Sequence, residues 1–530
     1  MRQIGFKNFR RFEQFPSLDL APITIFVGEN NAGKSTVVKG ILALSDFLKR
    51  RREDDDDFFI EESGRKKRKS ILVNRLRNQK FYFNTSYLAH IGTFKRALYN
   101  KAQESVITFF TSLGTMDIAI GVKGNRSDEE SVSGIISEVR VVYRRYGITL
   151  FFDLQRDLAQ IVFHTLTPEQ VESRQFNEAI KHGFIDLYKK YNKPMELCFK
   201  ISDYYFPYAP DFISALTSSV EKAIDATINK NITDDIEDLD ELDSFQPIPD
   251  IDEGTVSFLK EFCEIMSPHS MSSRIRHRHS FMLPKRPIRM LLNIEYLYAH
   301  AVTQTVIYSA KDMNDYLSRT IHEFASTPKL TNDHRRSFII RWMQEFGIGK
   351  DYLITSVGGE AHIVKIQDKD DEWVNLSDKG MGSIQLMVLL FRLAITLPKH
   401  SISNEETRRK AMNSSSSRII IIEEPEQNLH PMLQSKLADF LFILNQEYGY
   451  RFIIETHSEY LIRKTQVIVK NNFNDVDRPL KENPFKVYYF NSSSSEEPYY
   501  EIVYQNDGNF SNDFGRGFFD EASNLAFEIL

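Results

Sequence analysis

The sequence predicts an α/β fold: a mixed sheet carrying a phosphate-binding loop, an antiparallel β lobe and a helical insertion. Three observations predict it. An apolar run, Ile23-Thr24-Ile25-Phe26-Val27, leads into Gly28-Glu29-Asn30-Asn31-Ala32-Gly33-Lys34-Ser35 and then a helical stretch over residues 36–48. A second run, Ile419-Ile420-Ile421-Ile422, ends on Glu423 and Glu424. A third, Phe452-Ile453-Ile454, ends on Glu455-Thr456-His457-Ser458. Strand, glycine-rich loop and helix in succession is the context that separates a working anion loop from a chance match.

At 530 residues the chain exceeds what one hydrophobic core supports. The motifs divide it into an N-terminal half with the loop and β lobe (1–157), a helical insertion (158–345) and a C-terminal half (346–530). The net charge of −6 offers no global basic field for nucleic acid, so any such surface must be local. Cys198 and Cys263 lie far apart without CxxC spacing, which disfavours a disulfide framework or a thiolate zinc site and fits a reducing compartment. The opening MRQIGFKNFRRF has no signal-peptide pattern, and no apolar run reaches the roughly 18–20 residues that span a bilayer. A cytoplasmic location is the expectation.

Taken in order, Ile4, Phe6 and Phe9, then Leu18 and Leu20, alternate with polar neighbours as short strands do. Charge-dense stretches at 49–57 and 65–69 read as solvated loops. Strands are expected at 80–87, 105–111, 117–122, 139–146 and 148–154, giving the antiparallel lobe. From 158 to 326 the pattern turns helical, with three- and four-residue spacing around Ile180, Phe184, Leu187 and Ile224. An acidic run at 234–243 and prolines at 247, 249, 284 and 287 interrupt it, and no heptad persists. Alternation returns at 353–366, while serines at 414–417 and 492–495 read as flexible loops.

The chemistry follows from residue type and position. Glycines let backbone N–H groups turn inward on an anion, and the helix that follows adds its positive end. Gly28, Asn30, Asn31, Gly33, Lys34, Ser35 and Thr36 are therefore candidates for holding a nucleotide. Lys34 would reach the β- and γ-phosphates, and Ser35 (or Thr36) would hold Mg²⁺. Glu423, ending a buried strand, would join the Mg²⁺ shell, and Glu424 would polarise the attacking water. His457 would donate to the γ-phosphate. Acids at strand ends are also common surface caps, and a lone histidine after a strand is often structural. A fourth motif, Leu376-Ser377-Asp378-Lys379-Gly380-Met381-Gly382-Ser383, opens an apolar helix. Ser377, Gly380, Gly382 and Ser383 form a second candidate anion site, or else a plain helix cap. One ATP needs one phosphate loop, so this second site would address the γ-phosphate held by another subunit.

These four motifs, in this order and spacing, resemble the ABC-type ATPase heads of the RecF, SMC and Rad50 group. The likeness is nearer to the OLD-like (overcoming-lysogenization-defect) ATPases. It rests on Phe6-Lys7-Asn8-Phe9-Arg10, the Glu-Asn-Asn-Ala loop, and Ile422-Glu423-Glu424-Pro425-Glu426-Gln427-Asn428-Leu429-His430-Pro431. The segment Asp513-Phe514-Gly515-Arg516-Gly517-Phe518-Phe519-Asp520-Glu521 resembles the tail of many bacterial ATPases of this kind. The resemblance covers about 1–48 and 350–530. It implies an ATP- and Mg²⁺-dependent ATPase whose heads form a homodimer, meeting through residues 428–431. It also implies a role in bacterial anti-phage defence beside a separate nuclease or toxin, as in Septu-, retron- or PARIS-type modules. No nuclease metal set follows His457. The alternative is a DNA-repair ATPase of RecF type. Arg274, Arg276, Arg278, Lys285, Arg286 and Arg289, with His277, His279 and Phe281, read as a local cationic patch for nucleic acid or a protein, or else as a solvated loop.

Overall fold

Strand direction separates two kinds of sheet in this chain. The computed structural model describes residues 2–55, 59–62, 65–68, 80–85, 91–112, 116–125, 127–128, 130–144, 146–174, 178–200, 253–266, 294–298, 305–309, 311–312, 315–327, 334–398, 418–473, 482–491, 497–515 and 517–529. The acidic run at 234–243, the cationic patch at 274–289 and the serine stretches at 414–417 and 492–495 lie outside them. Contacts group the chain into two compact units: Met1–Asp19 with Lys39–Leu292, and Leu20–Val38 with Asn293–Leu530.

The first unit holds a nine-stranded sheet in which every pair is antiparallel. Its order is Met195–Lys200, Leu158–Phe163, Ile148–Asp153, Ser133–Tyr143, Met116–Lys123, Val106–Ser112, Gln3–Phe9 and Phe12–Asp19. Lys80–Tyr82 pairs with the start of Ser133–Tyr143. Alternating burial, as in Ile148–Asp153, gives one apolar face per strand. That face is rich in phenylalanine: Phe6, Phe9, Phe81 and Phe109 are fully buried, with Phe81 stacked on Phe109 at 4.8 Å between ring centroids. Helices Glu178–Lys190 and Glu253–Met266 bring Phe184 and Phe262 together, and Phe262 meets Phe163 at 5.0 Å.

Two local expectations change here. Residues 158–163 and 195–200, within the stretch expected to be helical, are strands. Leu158–Phe163 shows strictly alternating burial, a period of two too short to stand out beside the helical spacing that follows it. The charge-dense stretch is not wholly loop either. Helix Lys34–Asp55 runs past residue 48, and Phe59–Glu62 pairs with Arg65–Arg68. The register pairs Glu61 with Lys66 and Glu62 with Arg65.

The second unit is built on a six-stranded mixed sheet, ordered Ile294–Leu297, Ile419–Glu423, Arg451–Glu455, Ile23–Gly28, Phe485–Phe490 and Tyr499–Ile502. The first five are parallel and the last is an antiparallel edge. Strands covered on both faces should be continuously apolar, and Ile419 to Ile422 are each 4% exposed or less. Each such isoleucine contributes roughly 1.5–3 kcal/mol by burial. Helices Met381–Ile395, Pro431–Tyr448 and Glu459–Phe473 belong to this unit, as does a four-stranded antiparallel sheet that includes Asp351–Val357 and Ala361–Gln367. Among the described residues no helix is long and apolar enough to cross a membrane.

Candidate functional site

The phosphate loop sits where strand Ile23–Gly28 hands over to helix Lys34–Asp55. The turn needs left-handed backbone at Gly28 (φ 128°), Asn31 (φ 60°) and Gly33 (φ 105°). A Cβ on Gly28 would strike the Phe490 carbonyl on the neighbouring strand, so that position admits glycine alone. Asn30 and Asn31 are exposed at the tip, whereas Lys34 and Thr36 are buried. The Lys34 ammonium donates to the carbonyls of Gly28 (3.0 Å) and Glu29 (2.9 Å), which holds the side chain folded back along its own loop. Burial lowers its pKa below the ordinary lysine value, and the charges of Glu455 and Glu424 work against that shift.

Parallel pairing brings three strand ends to one edge. Glu423 is the register partner of Glu455, and Glu455 that of Phe26. Ligands of open parallel sheets bind at this carboxyl edge, because all strands terminate there together. The Ser35 hydroxyl donates to Glu455 Oε1 at 3.0 Å, tying the first helical turn to the edge. Burial, with Glu423 adding, pushes the Glu455 carboxyl up to about 7, while Lys34 and the Ser35 bond pull it down. Tyr296, from strand Ile294–Leu297, hydrogen-bonds to Glu423, and burial followed by the Glu423 charge raises its phenol.

The chain leaves the sheet abruptly at Glu424, whose φ of 47° is left-handed. Such a conformation in a non-glycine residue is held by its surroundings. Here the Glu424 N–H donates to the Glu455 carbonyl at 2.7 Å, and its carboxylate accepts from Gln427 Nε2. Two residues on, Glu426 Oε1 accepts the His457 N–H at 2.6 Å, fastening the histidine segment to the acidic turn. Burial raises the Glu426 pKa. His457 as a whole is exposed; partial desolvation of its ring and the Lys34 charge lower its pKa, and Glu424 opposes them. The carboxyl edge thus brings Lys34, Ser35, Glu423, Glu424 and His457 together.

Ser377, Gly380, Gly382 and Ser383 belong to a second cluster. Gly380 is the N-cap of helix Met381–Ile395, and the Ser383 N–H donates to its carbonyl at 2.9 Å. A Cβ on Gly382 would lie 2.5 Å from the Asn428 carbonyl, so this helix start leans on the turn after the acid pair. Gln385 reinforces that contact by donating to the Glu424 carbonyl at 3.4 Å. Ser377 Oγ bonds to Asp378 at 3.2 Å, and Lys379 pairs with Asp368 at 2.8 Å. His430 caps helix Pro431–Tyr448.

Three residues went unread in the sequence as parts of this site: Glu455, Glu426 and Tyr296. Glu455 had a signal, since it ends an apolar strand as Glu423 does. Tyr296 had none, because only strand order places it next to Glu423. Among the described residues no group of three His, Cys, Asp or Glu is arranged to hold a metal ion by itself.

Comparison with known proteins bears on the family. The chain is similar to the Smc head domain with an extended coiled coil bound to the C-terminal domain of ScpA from Pyrococcus furiosus. That likeness has 10% identity over 100% of this chain and 98% of the other, with a TM-score of 0.32. The SMC head domain from Thermotoga maritima is similar at 9% identity over 95% and 100%, TM-score 0.29. The Smc head domain with a coiled coil and joint from Pyrococcus yayanosii is similar at 9% over 96% and 97%, TM-score 0.33. No curated protein matches. Residues 1–462 match the AAA_15 family, described as AAA ATPase domain. Because that match takes in both the phosphate loop and the acidic and histidine strands, the chain belongs to this ATPase family.

Proposed function

We propose that the protein binds and hydrolyses ATP with Mg²⁺ at the carboxyl edge of the parallel sheet, and that two copies close head to head around the nucleotide. One observation carries this reading: Lys34, Ser35, Glu423, Glu424 and His457 come from three separate stretches of sequence and converge on one sheet edge. Backbone N–H groups from Gly28 to Gly33 would cradle the phosphates, with Asn30, Asn31 and Thr36 completing the loop, and Lys34 would turn from its carbonyls to the β- and γ-phosphates. Ser35 and Glu423 would hold the ion. The residues present fit it: a hydroxyl, a carboxylate and a buried Glu455 oxygen that has no hydrogen-bond partner. Bound Mg²⁺ supplies neutralisation of phosphate charge. Glu424 then orients and deprotonates the attacking water, and His457 donates to the γ-phosphate. Ser377, Gly380, Gly382 and Ser383 of a second copy would complete the anion site.

ATP binding closes such a dimer and hydrolysis opens it, a two-state element able to hold or free a partner. The resemblance of residues 422–431 and 513–521 to OLD-like ATPases supports a nuclease or toxin as that partner, in anti-phage defence. The test is Glu424→Gln. Turnover should fall by roughly 10²- to 10⁴-fold, and light scattering should find the variant accumulating as a dimer in ATP and Mg²⁺. A variant that stays monomeric in saturating ATP, or turns over like wild type, overturns the reading. Pull-down of the tagged variant from its host, compared with wild type, tests the effector: a stoichiometric nuclease or toxin supports it, and salt-resistant DNA alone favours repair.

A further inference from the structure

We propose that Glu455 is a second carboxylate of the divalent-cation site, placed to aim the Ser35 hydroxyl at the ion and to draw the ion in before nucleotide arrives. This rests on the ATPase reading for the identity of the site, and it gives a role of its own to Glu455, whose unpaired oxygen that reading takes only as fitting the ion.

The argument begins with one hydroxyl. Ser35 has a single proton to donate and two lone pairs to offer. Its proton goes to Glu455 Oε1 at 3.0 Å, so the lone pairs face away from Glu455 and are available to a cation. A neutral acceptor would have sufficed for that task alone. Instead the position holds an acid that is only 6% exposed, and its second oxygen, Oε2, is buried without a hydrogen-bond partner. Buried polar atoms are nearly always satisfied, and a carboxylate oxygen more insistently than most. An orphan of this kind beside an anion loop marks the place of a group that the bare chain lacks.

The surroundings say which group. Glu423 is the direct register partner of Glu455 on the adjoining parallel strand, so two carboxylates end side by side at one edge. Like charges so placed repel, and a cation lying with them relieves that repulsion. The nearest ammonium, on Lys34, is engaged with the Gly28 and Glu29 carbonyls. A hydroxyl and two carboxylates leave positions for waters and later for phosphate oxygens. That is an open site for a small, hard divalent ion.

Glu455→Gln separates aiming from charging, because glutamine keeps an acceptor for Ser35 and removes the charge. Mn²⁺ binding to nucleotide-free protein, followed by electron paramagnetic resonance, should find one site per chain in wild type. In Glu455→Gln it should be about 10- to 100-fold weaker. Glu455→Asp, which keeps the charge, should lose less than glutamine. Binding of a fluorescent ATP analogue in EDTA should match wild type in both variants, which reads the nucleotide site independently. Equal Mn²⁺ affinity in wild type and Glu455→Gln overturns the proposal, even if ATP binds and turns over. Loss of analogue binding by wild type overturns the ATPase reading instead. Should Glu455→Gln not fold, wild type alone decides: one Mn²⁺ per chain without nucleotide supports the proposal, and none overturns it.

Discussion

The two sheets of this protein use the same apolar residues to different ends. In the nine-stranded sheet adjacent strands run oppositely, so their C-terminal residues fall at alternate edges. Asp153, ending Ile148–Asp153, is the register partner of Glu138 in mid-strand and of Leu158 at a strand start. In the parallel sheet Gly28, Glu423 and Glu455 all end strands at one edge. Strand direction, more than composition, decides where polar groups can gather into chemistry. The antiparallel sheet should therefore be sensitive to loss of packing, and the parallel edge to loss of charge.

The largest effect should come from Phe6→Ala. Phe6 is fully buried, in ring contact with Phe9, Phe15 and Phe109. Removing such a ring costs about 3–5 kcal/mol through lost burial and a residual cavity. Urea denaturation should read this as an earlier midpoint, while folded variant in dilute buffer still binds ATP. A variant that keeps its midpoint but cannot bind ATP would break the division between packing and chemistry.

Next in size is Gly382→Ala, which sharpens the comparison within the second unit. The added methyl meets the Asn428 carbonyl and the Leu429 side chain, so helix and turn must part. Overpacking of this order costs about 1–3 kcal/mol. The expected phenotype is near-normal ATP binding with weakened ATP-driven dimerisation, because the loop around Lys34 is untouched. Analogue binding and light scattering measure the two separately, and parallel loss of both would deny the 377–383 segment a role of its own.

Much of this was legible in the sequence because local chemistry announced it. The loop from Gly28 to Ser35 has residues that only an anion turn explains, and four isoleucines before Glu423 can hardly be anything but a buried strand. What was not legible depends on partners distant in sequence. Glu455 becomes a site residue through its register with Glu423 and its bond to Ser35. Tyr296 joins because strand Ile294–Leu297 is added beside Ile419–Glu423. The strand Leu158–Phe163 hides in the sequence because six alternating residues carry little weight beside a longer helical pattern. Local rules recover elements and motifs; neighbours across a sheet need the sheet.

The smallest effect concerns Glu426, and it separates holding from reacting at the acidic edge. Burial raises its pKa above the ordinary 4.5, against the hydrogen bond it accepts from the His457 N–H. A raised carboxyl keeps its proton in the folded state after the unfolded chain has released it. Folded protein therefore binds more protons between 4.5 and the raised value, and stability falls as pH climbs through that window. Glu426→Gln keeps an oxygen for the His457 N–H and removes the titration. The variant should lose less stability than wild type between pH 4.5 and 8, giving a flatter melting-temperature profile. Its turnover should change far less than that of Glu424→Gln, because Glu426 fixes a backbone, whereas the role proposed for Glu424 is on the attacking water. A profile parallel to wild type would mean that Glu426 is ionised throughout, its charge stabilised by the His457 N–H that it accepts. A large loss of turnover would instead move Glu426 into the reacting pair.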